Sequence, residues 1–205
     1  MSDGVSPAPA SLRLFIALWP TPAVRTALAT RRDALRWPPG AALVADERLH
    51  LTLHFLGQVP ATLLPQLVPA LQLRGSRFTL DIGPPQMWPR GLAVLPCTPA
   101  PPALRALHVA LAAALAGLGL SVERRPFRPH VTLARRAEGV VLPRSAAPSD
   151  APPLRWRVSG HALVWSHPSA GYRVLARYSE RGVTLATTPQ IATTRTPPAR
   201  RPRGR

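Results

Sequence analysis

The chain has 205 residues, which is enough for one domain or two closely packed lobes with a substantial core. All 26 of its basic residues are arginine and only 9 residues are acidic, so the formal charge of +17 points to polyanionic partners, or else to a biased genomic composition. The single cysteine excludes an internal disulfide and a Cys-x-x-Cys zinc motif, and no signal peptide or membrane span is visible.

Both ends of the chain differ in composition from the part between them. Residues 1–11 are small and contain proline, and residues 181–205 are rich in Thr, Pro and Arg with no acidic residue. Such segments bring few apolar residues to a core, so both are predicted to be disordered. One domain is predicted over residues 12–180.

The first part of this domain alternates strands and helices. Leu12–Leu18 is an apolar run typical of a strand, and Thr21 followed by Pro22 marks the start of a helix. Apolar and polar residues alternate in Leu49–Leu56, which predicts a half-buried strand. Its polar face is predicted to carry His50, Thr52 and His54, and its apolar face Leu49, Leu51, Leu53 and Phe55.

A second set of elements follows. Thr62–Leu73 has helical spacing but contains two prolines, so a short or kinked helix is expected there. An amphipathic helix with a stripe of leucines is predicted from Pro102 to Leu118. Further strands are predicted at Phe78–Ile82, Leu92–Leu95, His130–Leu133, Val158–Trp165 and Tyr172–Tyr178.

The pattern His-x-Thr-Leu occurs twice, at His50–Leu53 and at His130–Leu133. Residues two apart on a strand share a face, so each copy places an imidazole beside a hydroxyl while the intervening residue anchors the strand in the core. The copies lie too far apart for a solenoid repeat, which indicates two related lobes.

Two such half-sites facing each other across a groove suit acid–base catalysis on a phosphoester. One histidine can take a proton from an attacking water while the other protonates a leaving oxygen, since an unperturbed pKa of about 6.5 serves both duties. The hydroxyls of Thr52 and Thr132 would bind phosphate oxygens, and an arginine would balance the charge. The nine scattered acidic residues argue against a metal site, and the strand disfavours a metal pair of His50 and His54.

Both motifs lie within longer characteristic segments: Arg13–Leu18, Leu49–Gly57, Arg125–Arg135, Ser166 and Gly171 with Tyr172. Over about residues 12–180 these segments resemble the two-histidine (2H) phosphoesterases, and among them the bacterial and archaeal RNA 2′,3′-cyclic phosphodiesterases, historically called 2′-5′ RNA ligases.

The resemblance implies an α+β fold of two pseudo-symmetric lobes, each an antiparallel sheet backed by helices, with a central catalytic groove. It implies hydrolysis of RNA 2′,3′-cyclic phosphate ends to 2′-phosphates, with His50 as proton donor to the departing 3′ oxygen and His130 as the base that activates water. Arg135 matches a recurring family arginine and is predicted to contact the phosphate, with a surface position at the strand end as the alternative.

Several other residues have two open interpretations. His54 replaces the basic residue often found after the first motif, and is expected to contact phosphate or simply to line the groove. Phe127, Trp165 and Tyr172 either stack on a base or pack in the core. The arginine-rich tail either adds RNA affinity or is a solvated end.

We therefore expect a cytoplasmic, monomeric hydrolase that needs no cofactor and no metal, acts on RNA with a 2′,3′-cyclic phosphate end, and involves neither a membrane nor a protein partner. Three alternatives remain at this point. They are reversible 2′-5′ RNA ligation, hydrolysis of another cyclic phosphoester, and a non-catalytic module that binds RNA ends.

Overall fold

The computed structural model describes residues 11–73, 77–123, 125–142, 154–167 and 169–186. Within these ranges the chain forms three α-helices: Pro22–Asp33 (α1), Leu64–Ala70 (α2) and Pro102–Gly117 (α3). The same ranges contain eleven strands: Ser11–Leu18 (β1), Ala42–Leu43 (β2), Leu51–Pro60 (β3), Phe78–Ile82 (β4), Gln86–Trp88 (β5), Leu92–Pro96 (β6), His130–Arg135 (β7), Leu154–Val158 (β8), Gly160–His167 (β9), Gly171–Ser179 (β10) and Gly182–Leu185 (β11). No helix in this described part is both long and apolar enough to span a membrane.

Nine of the described strands form one antiparallel sheet. Their order is β11-β10-β9-β1-β3-β7-β6-β5, with β2 beside β7, while β4 and β8 pair separately. The sheet has two halves, because β3 and β7 are paired only through Leu51 opposite Val131. The predicted α+β class with two antiparallel lobes is confirmed, and the two lobes are joined edge to edge at this one pair.

The helices pack against one face of the sheet through a shared core. Thr21 caps α1 by accepting a hydrogen bond from the Val24 amide at 3.4 Å, and Pro22 occupies the first turn, as predicted. The leucines of α3 are buried with those of β1, β3 and β7 in one apolar cluster: Leu104, Leu107, Leu111 and Leu115. The opposite face is thereby left to carry the polar residues of the two motifs.

Three strands differ from the sequence-based expectation, whereas α2 agrees with it. α2 spans only Leu64–Ala70 after a 3₁₀ turn at residues 61–63, which agrees with the short helix predicted from its prolines. The strands β5 and β8 were not predicted: β5 has only three residues, and β8 has only five, although apolar residues alternate with arginines along it. Strand β9 begins at Gly160 rather than at Val158, because Val158 belongs to β8.

The predicted boundaries of the domain also shift. Ser11 belongs to β1, and residues 182–185, placed in the disordered tail, form β11 and pair with β10. The reason is a two-residue turn at Glu180 and Arg181, which forms a hairpin and pairs residues 182–185 with β10. The composition of the tail as a whole does not indicate this local hairpin. Residues 1–10 and 187–205 lie outside the described residues.

Three histidines away from the motif positions are held in apolar surroundings. The Nε2–H of His161 donates to the carbonyl of Leu71 at 3.0 Å, and the Nε2–H of His54 donates to the carbonyl of His108 at 2.8 Å. Burial lowers the pKa of His161 to about 4. Burial followed by the neighbouring His54 lowers the pKa of His108 to about 4, and burial lowers the pKa of His54 as well.

These histidines predict a loss of stability in mild acid. Unfolded histidines bind protons near pH 6.5, so between about pH 6.5 and pH 4 the unfolded chain takes up protons that the folded chain excludes. The free energy of unfolding is expected to be highest above this window and to fall as the pH drops through it. Denaturant titrations across the window measure the fall. The variant His161→Gln keeps a donor for Leu71 and should flatten the slope, whereas constant stability of the parent protein would contradict the prediction.

Candidate active site

A groove of about 420 Å³ runs across the junction of the two sheet halves. The five residues predicted from the sequence all line it: His50, Thr52, His130, Thr132 and Arg135. The two motifs therefore share one cavity, as expected of two half-sites. Extending the antiparallel register by one residue from Leu51 and Val131 sets His50 beside Thr132 and Thr52 beside His130.

The two histidines are oriented by the same interaction, a hydrogen bond to the backbone carbonyl two residues earlier. His50 Nδ1 lies 2.6 Å from the carbonyl oxygen of Arg48, and His130 Nδ1 lies 2.7 Å from the carbonyl oxygen of Arg128. A carbonyl only accepts, so each Nδ1 carries the hydrogen and each Nε2 is left to exchange a proton. His50 Nε2 also lies 3.0 Å from the hydroxyl oxygen of Thr52. Both imidazoles are thus fixed in the tautomer that acid–base chemistry at Nε2 requires.

A β-bulge follows the first motif and changes the face on which the next residues lie. Along β1, Ala17 pairs with Thr52 and Ile16 pairs with His54, so Leu53 is the extra residue. His54 therefore lies in the core, only 4% exposed, and Phe55 lies on the groove, 47% exposed. The expectation that His54 shares a face with His50 was wrong, and so were both roles considered for it. The bulge shifts the alternation by one residue.

The second motif is followed by the same bulge. Along β6, Val94 pairs with Thr132 and Ala93 pairs with Ala134, so Leu133 is the extra residue. Arg135, an odd number of positions after His130, would face the core in a regular strand. The bulge returns it to the groove, where it lies at the position that Phe55 holds in the other half. The predicted site residue Arg135 is in the groove for this reason.

Positive charge and burial both keep the two histidines neutral. Burial, together with the charges of His130 and Arg135, lowers the pKa of His50 to about 4, although the hydrogen bond to the Arg48 carbonyl acts to raise it. Burial also lowers the pKa of His130, followed by the charges of Arg128 and Arg135. An anion between the histidines would offset these effects and favour a protonated imidazole.

Aromatic rings pack against each imidazole. His50 contacts Phe15, Tyr172 and Trp19, with ring centroids 4.9, 5.5 and 5.7 Å away. His130 contacts Trp88 at 4.5 Å. These rings exclude water from the imidazoles, which accounts for the burial that lowers their pKa values.

An arginine covers the outer ring in each half. The guanidinium of Arg48 lies 5.6 Å from the ring centre of Tyr172, and that of Arg128 lies 4.1 Å from the ring centre of Trp88. Arg48 and Arg128 each precede a motif histidine by two residues. Sequence reasoning missed them, although extending the repeat to Arg-x-His-x-Thr-Leu would have found both.

The aromatic residues considered for base stacking lie in different parts of the structure. Tyr172 lines the groove, whereas Phe127 stacks on His108 at 4.0 Å and packs against the core. Trp165 also packs against the core and contacts His167. Phe55 is the exposed ring in the groove, and the guanidinium of Arg13 lies 5.1 Å from its centre. Strict alternation assigned it to the core, so only the bulge identifies it.

One wall of the groove consists of β2 and the two residues after it, which are tied to α1. Residues 42–45 line the groove, and Arg32 holds them in place from the helix. The Arg32 side chain donates to the carbonyl of Val44 at 2.5 Å and pairs with Asp46 at 2.7 Å. The Arg32 side chain is largely buried, whereas its partner Asp46 is exposed.

The described residues include no group of three or more His, Cys, Asp or Glu side chains placed to hold a metal ion. His54 lies on the core side of β3 and stacks on His108 at 4.0 Å, away from His50. The groove residues instead combine two imidazoles, two threonine hydroxyls and arginine side chains. This set suits an anionic phosphoester.

Comparisons with known proteins agree with this geometry. The chain is 31% identical to an RNA 2′,3′-cyclic phosphodiesterase of Thermus thermophilus over 191 residues, covering 83% of this chain and 91% of the relative. It is 37% identical over 135 residues to one from Escherichia coli, covering 64% and 76% of the two chains. A crystal structure of E. coli LigT complexed with 3′-AMP superposes with a TM-score of 0.70 at 28% identity, covering 83% of this chain and 98% of that one.

A family model describing the 2′-5′ RNA ligase superfamily matches residues 20–170, a range that contains both motifs. The match spans most of the described structure and includes Arg135 and Ser166. The protein belongs to the 2′-5′ RNA ligase superfamily of two-histidine phosphoesterases.

Proposed function

We propose that the protein is an RNA 2′,3′-cyclic phosphodiesterase that opens a terminal cyclic phosphate to a 2′-phosphate. The observation that supports this proposal most directly is the pair of oriented histidines in one groove. Each has its Nδ1 hydrogen-bonded to a backbone carbonyl, and each lies two residues before a threonine. The relatives that carry this activity in their names support the assignment.

The two histidines divide the proton transfers. His130 Nε2 accepts a proton from water as the water oxygen attacks phosphorus. The bond between phosphorus and the 3′ oxygen breaks, and His50 Nε2 gives its proton to that oxygen. The products are a 2′-phosphate and a free 3′ hydroxyl, and the two histidines end with their protonation states exchanged.

The remaining groove residues hold the phosphate between the histidines. Thr52 and Thr132 donate hydroxyl hydrogens to its non-bridging oxygens, and Arg135 neutralises the charge that builds up in the transition state. The phosphate itself supplies the negative charge that raises the pKa of His50 enough for it to act as the acid. The exposed ring of Phe55 offers a surface on which a base can stack.

Replacing either histidine tests this mechanism. His50→Ala and His130→Ala are each expected to lower kcat by about 10² to 10⁴-fold on RNA with a cyclic phosphate end, because each removes a proton transfer from the transition state. His167→Ala is the matched control, since His167 does not line the groove, and should keep the parent rate. Near-normal turnover by both motif variants, with the fold verified by circular dichroism, would rule the mechanism out.

Replacing Arg135 gives a second test, because the charge of Arg135 lowers the pKa of both histidines. Its positive charge penalises both imidazolium ions, so Arg135→Ala should raise the pKa of His50 from about 4 and raise that of His130. Arg135→Lys keeps the charge and should leave both pKa values low. NMR titration of the histidine ring protons measures the shifts, and unchanged pKa values in Arg135→Ala would show that Arg135 does not act on the pair.

A further inference from the structure

The groove extends beyond the two histidines into the half of the sheet that contains β1, β9 and β10. Tyr172 on β10 pairs with Ser166 on β9. Extending the pairing of Leu14 with Trp165 by one residue sets Arg13 on β1 opposite Ser166. Arg13, Ser166 and Tyr172 thus form a row across three strands, and all three line the groove. The proposed reaction assigns no substrate contact to any of them.

Arg48 lies beside Tyr172, at the β10 end of this row, and also lines the groove. Its guanidinium is 5.6 Å from the centre of the Tyr172 ring and rests against Gly171, where an added Cβ would come 2.9 Å from Nη2. The residue is exposed, and no carboxylate among the described residues pairs with it. Its N–H donors are therefore available to an anion, and the ring and the glycine already hold the guanidinium in place.

The two halves of the sheet differ in this respect. The counterpart of Arg48 is Arg128, which covers Trp88 beside His130 but is not among the residues that line the groove. A ligand in the groove therefore meets this kind of ring-supported cation only on the side of His50.

The proposed reaction places the RNA chain on that same side. Water attacks from the side of His130 and the 3′ oxygen leaves toward His50, since in-line displacement sets the two on opposite sides of phosphorus. The ribose carries the leaving oxygen, so the ribose and the phosphodiester at its 5′ carbon lie on the side of His50. The Tyr172 ring, 5.5 Å from the His50 ring, separates His50 from the guanidinium of Arg48.

We propose that Arg48 binds the phosphodiester that joins the terminal nucleotide of the RNA to the nucleotide before it, an inference that rests on the proposed function. A cyclic mononucleotide carries no phosphate at this position and does not gain the contact. Arg48 is then a specificity-determining residue, which makes the enzyme favour RNA ends over free cyclic mononucleotides.

Binding of two product-like dinucleotides tests the proposal without any need for turnover. Both end in a 2′-phosphate, and they differ only in the linkage between their nucleotides, a phosphodiester in one and an uncharged methylphosphonate in the other. The parent protein is expected to bind the phosphodiester about 5- to 10-fold more tightly, because a solvent-exposed guanidinium gains one charge-assisted hydrogen bond. Arg48→Ala should reduce this ratio of affinities to about 1. Arg173→Ala makes the same charge change at an exposed position of β10 outside the groove, and should keep the parent ratio.

Three results would overturn the proposal. The first is a parent protein that binds both dinucleotides equally. The second is a ratio that survives in Arg48→Ala, which is what a purely structural role of Arg48 on Tyr172 predicts, since both affinities would then fall together. The third is a ratio that Arg173→Ala lowers as much, which would reduce the effect to general charge. Failure of the proposed function is separate, because it appears as absence of cyclic phosphate opening by the parent protein.

Discussion

The pairing of Leu51 with Val131 is the constraint on which the site depends. These residues are the centres of the two motifs, and they are fully buried in the core while their neighbours line the groove. The antiparallel arrangement makes the two motifs face each other with an approximate two-fold relation. The distance between the histidines is therefore fixed by backbone pairing rather than by flexible loops, which is how a site gains precise geometry.

The two halves also share the devices that prepare each histidine. In both halves, the backbone carbonyl two residues before the histidine fixes its tautomer, and an aromatic ring covered by an arginine packs against the imidazole. In both, a bulge at the last motif residue brings the side chain two positions later into the groove. They differ at that last position, where one half has Phe55 and the other Arg135. An aromatic side chain opposite a cation suits a ligand with a base at one end and a phosphate at the other.

Much of the fold and of the groove was predictable from the sequence, and the two residues assigned to the wrong face share one physical cause. The period of two identified β3 and β7, and the cap identified α1. The repeated motif identified His50, Thr52, His130 and Thr132 as groove residues, and the family resemblance added Arg135. His54 and Phe55 were assigned to the wrong faces because a bulge depends on the pairing with β1, which local alternation does not contain. The strand β5 was missed since its three residues depend on pairing with β6, whereas β8 was missed although its apolar residues alternate with arginines in the sequence.

The central claim is that two histidines transfer protons on opposite sides of one phosphate without a metal. The most direct measurement is the position of the phosphate left on an RNA with a 2′,3′-cyclic end after incubation with the protein in EDTA. Breaking only the bond to the 3′ oxygen predicts a 2′-phosphate as the sole product, at an unchanged rate in EDTA. A 3′-phosphate, or turnover that requires an added divalent cation, would contradict the account.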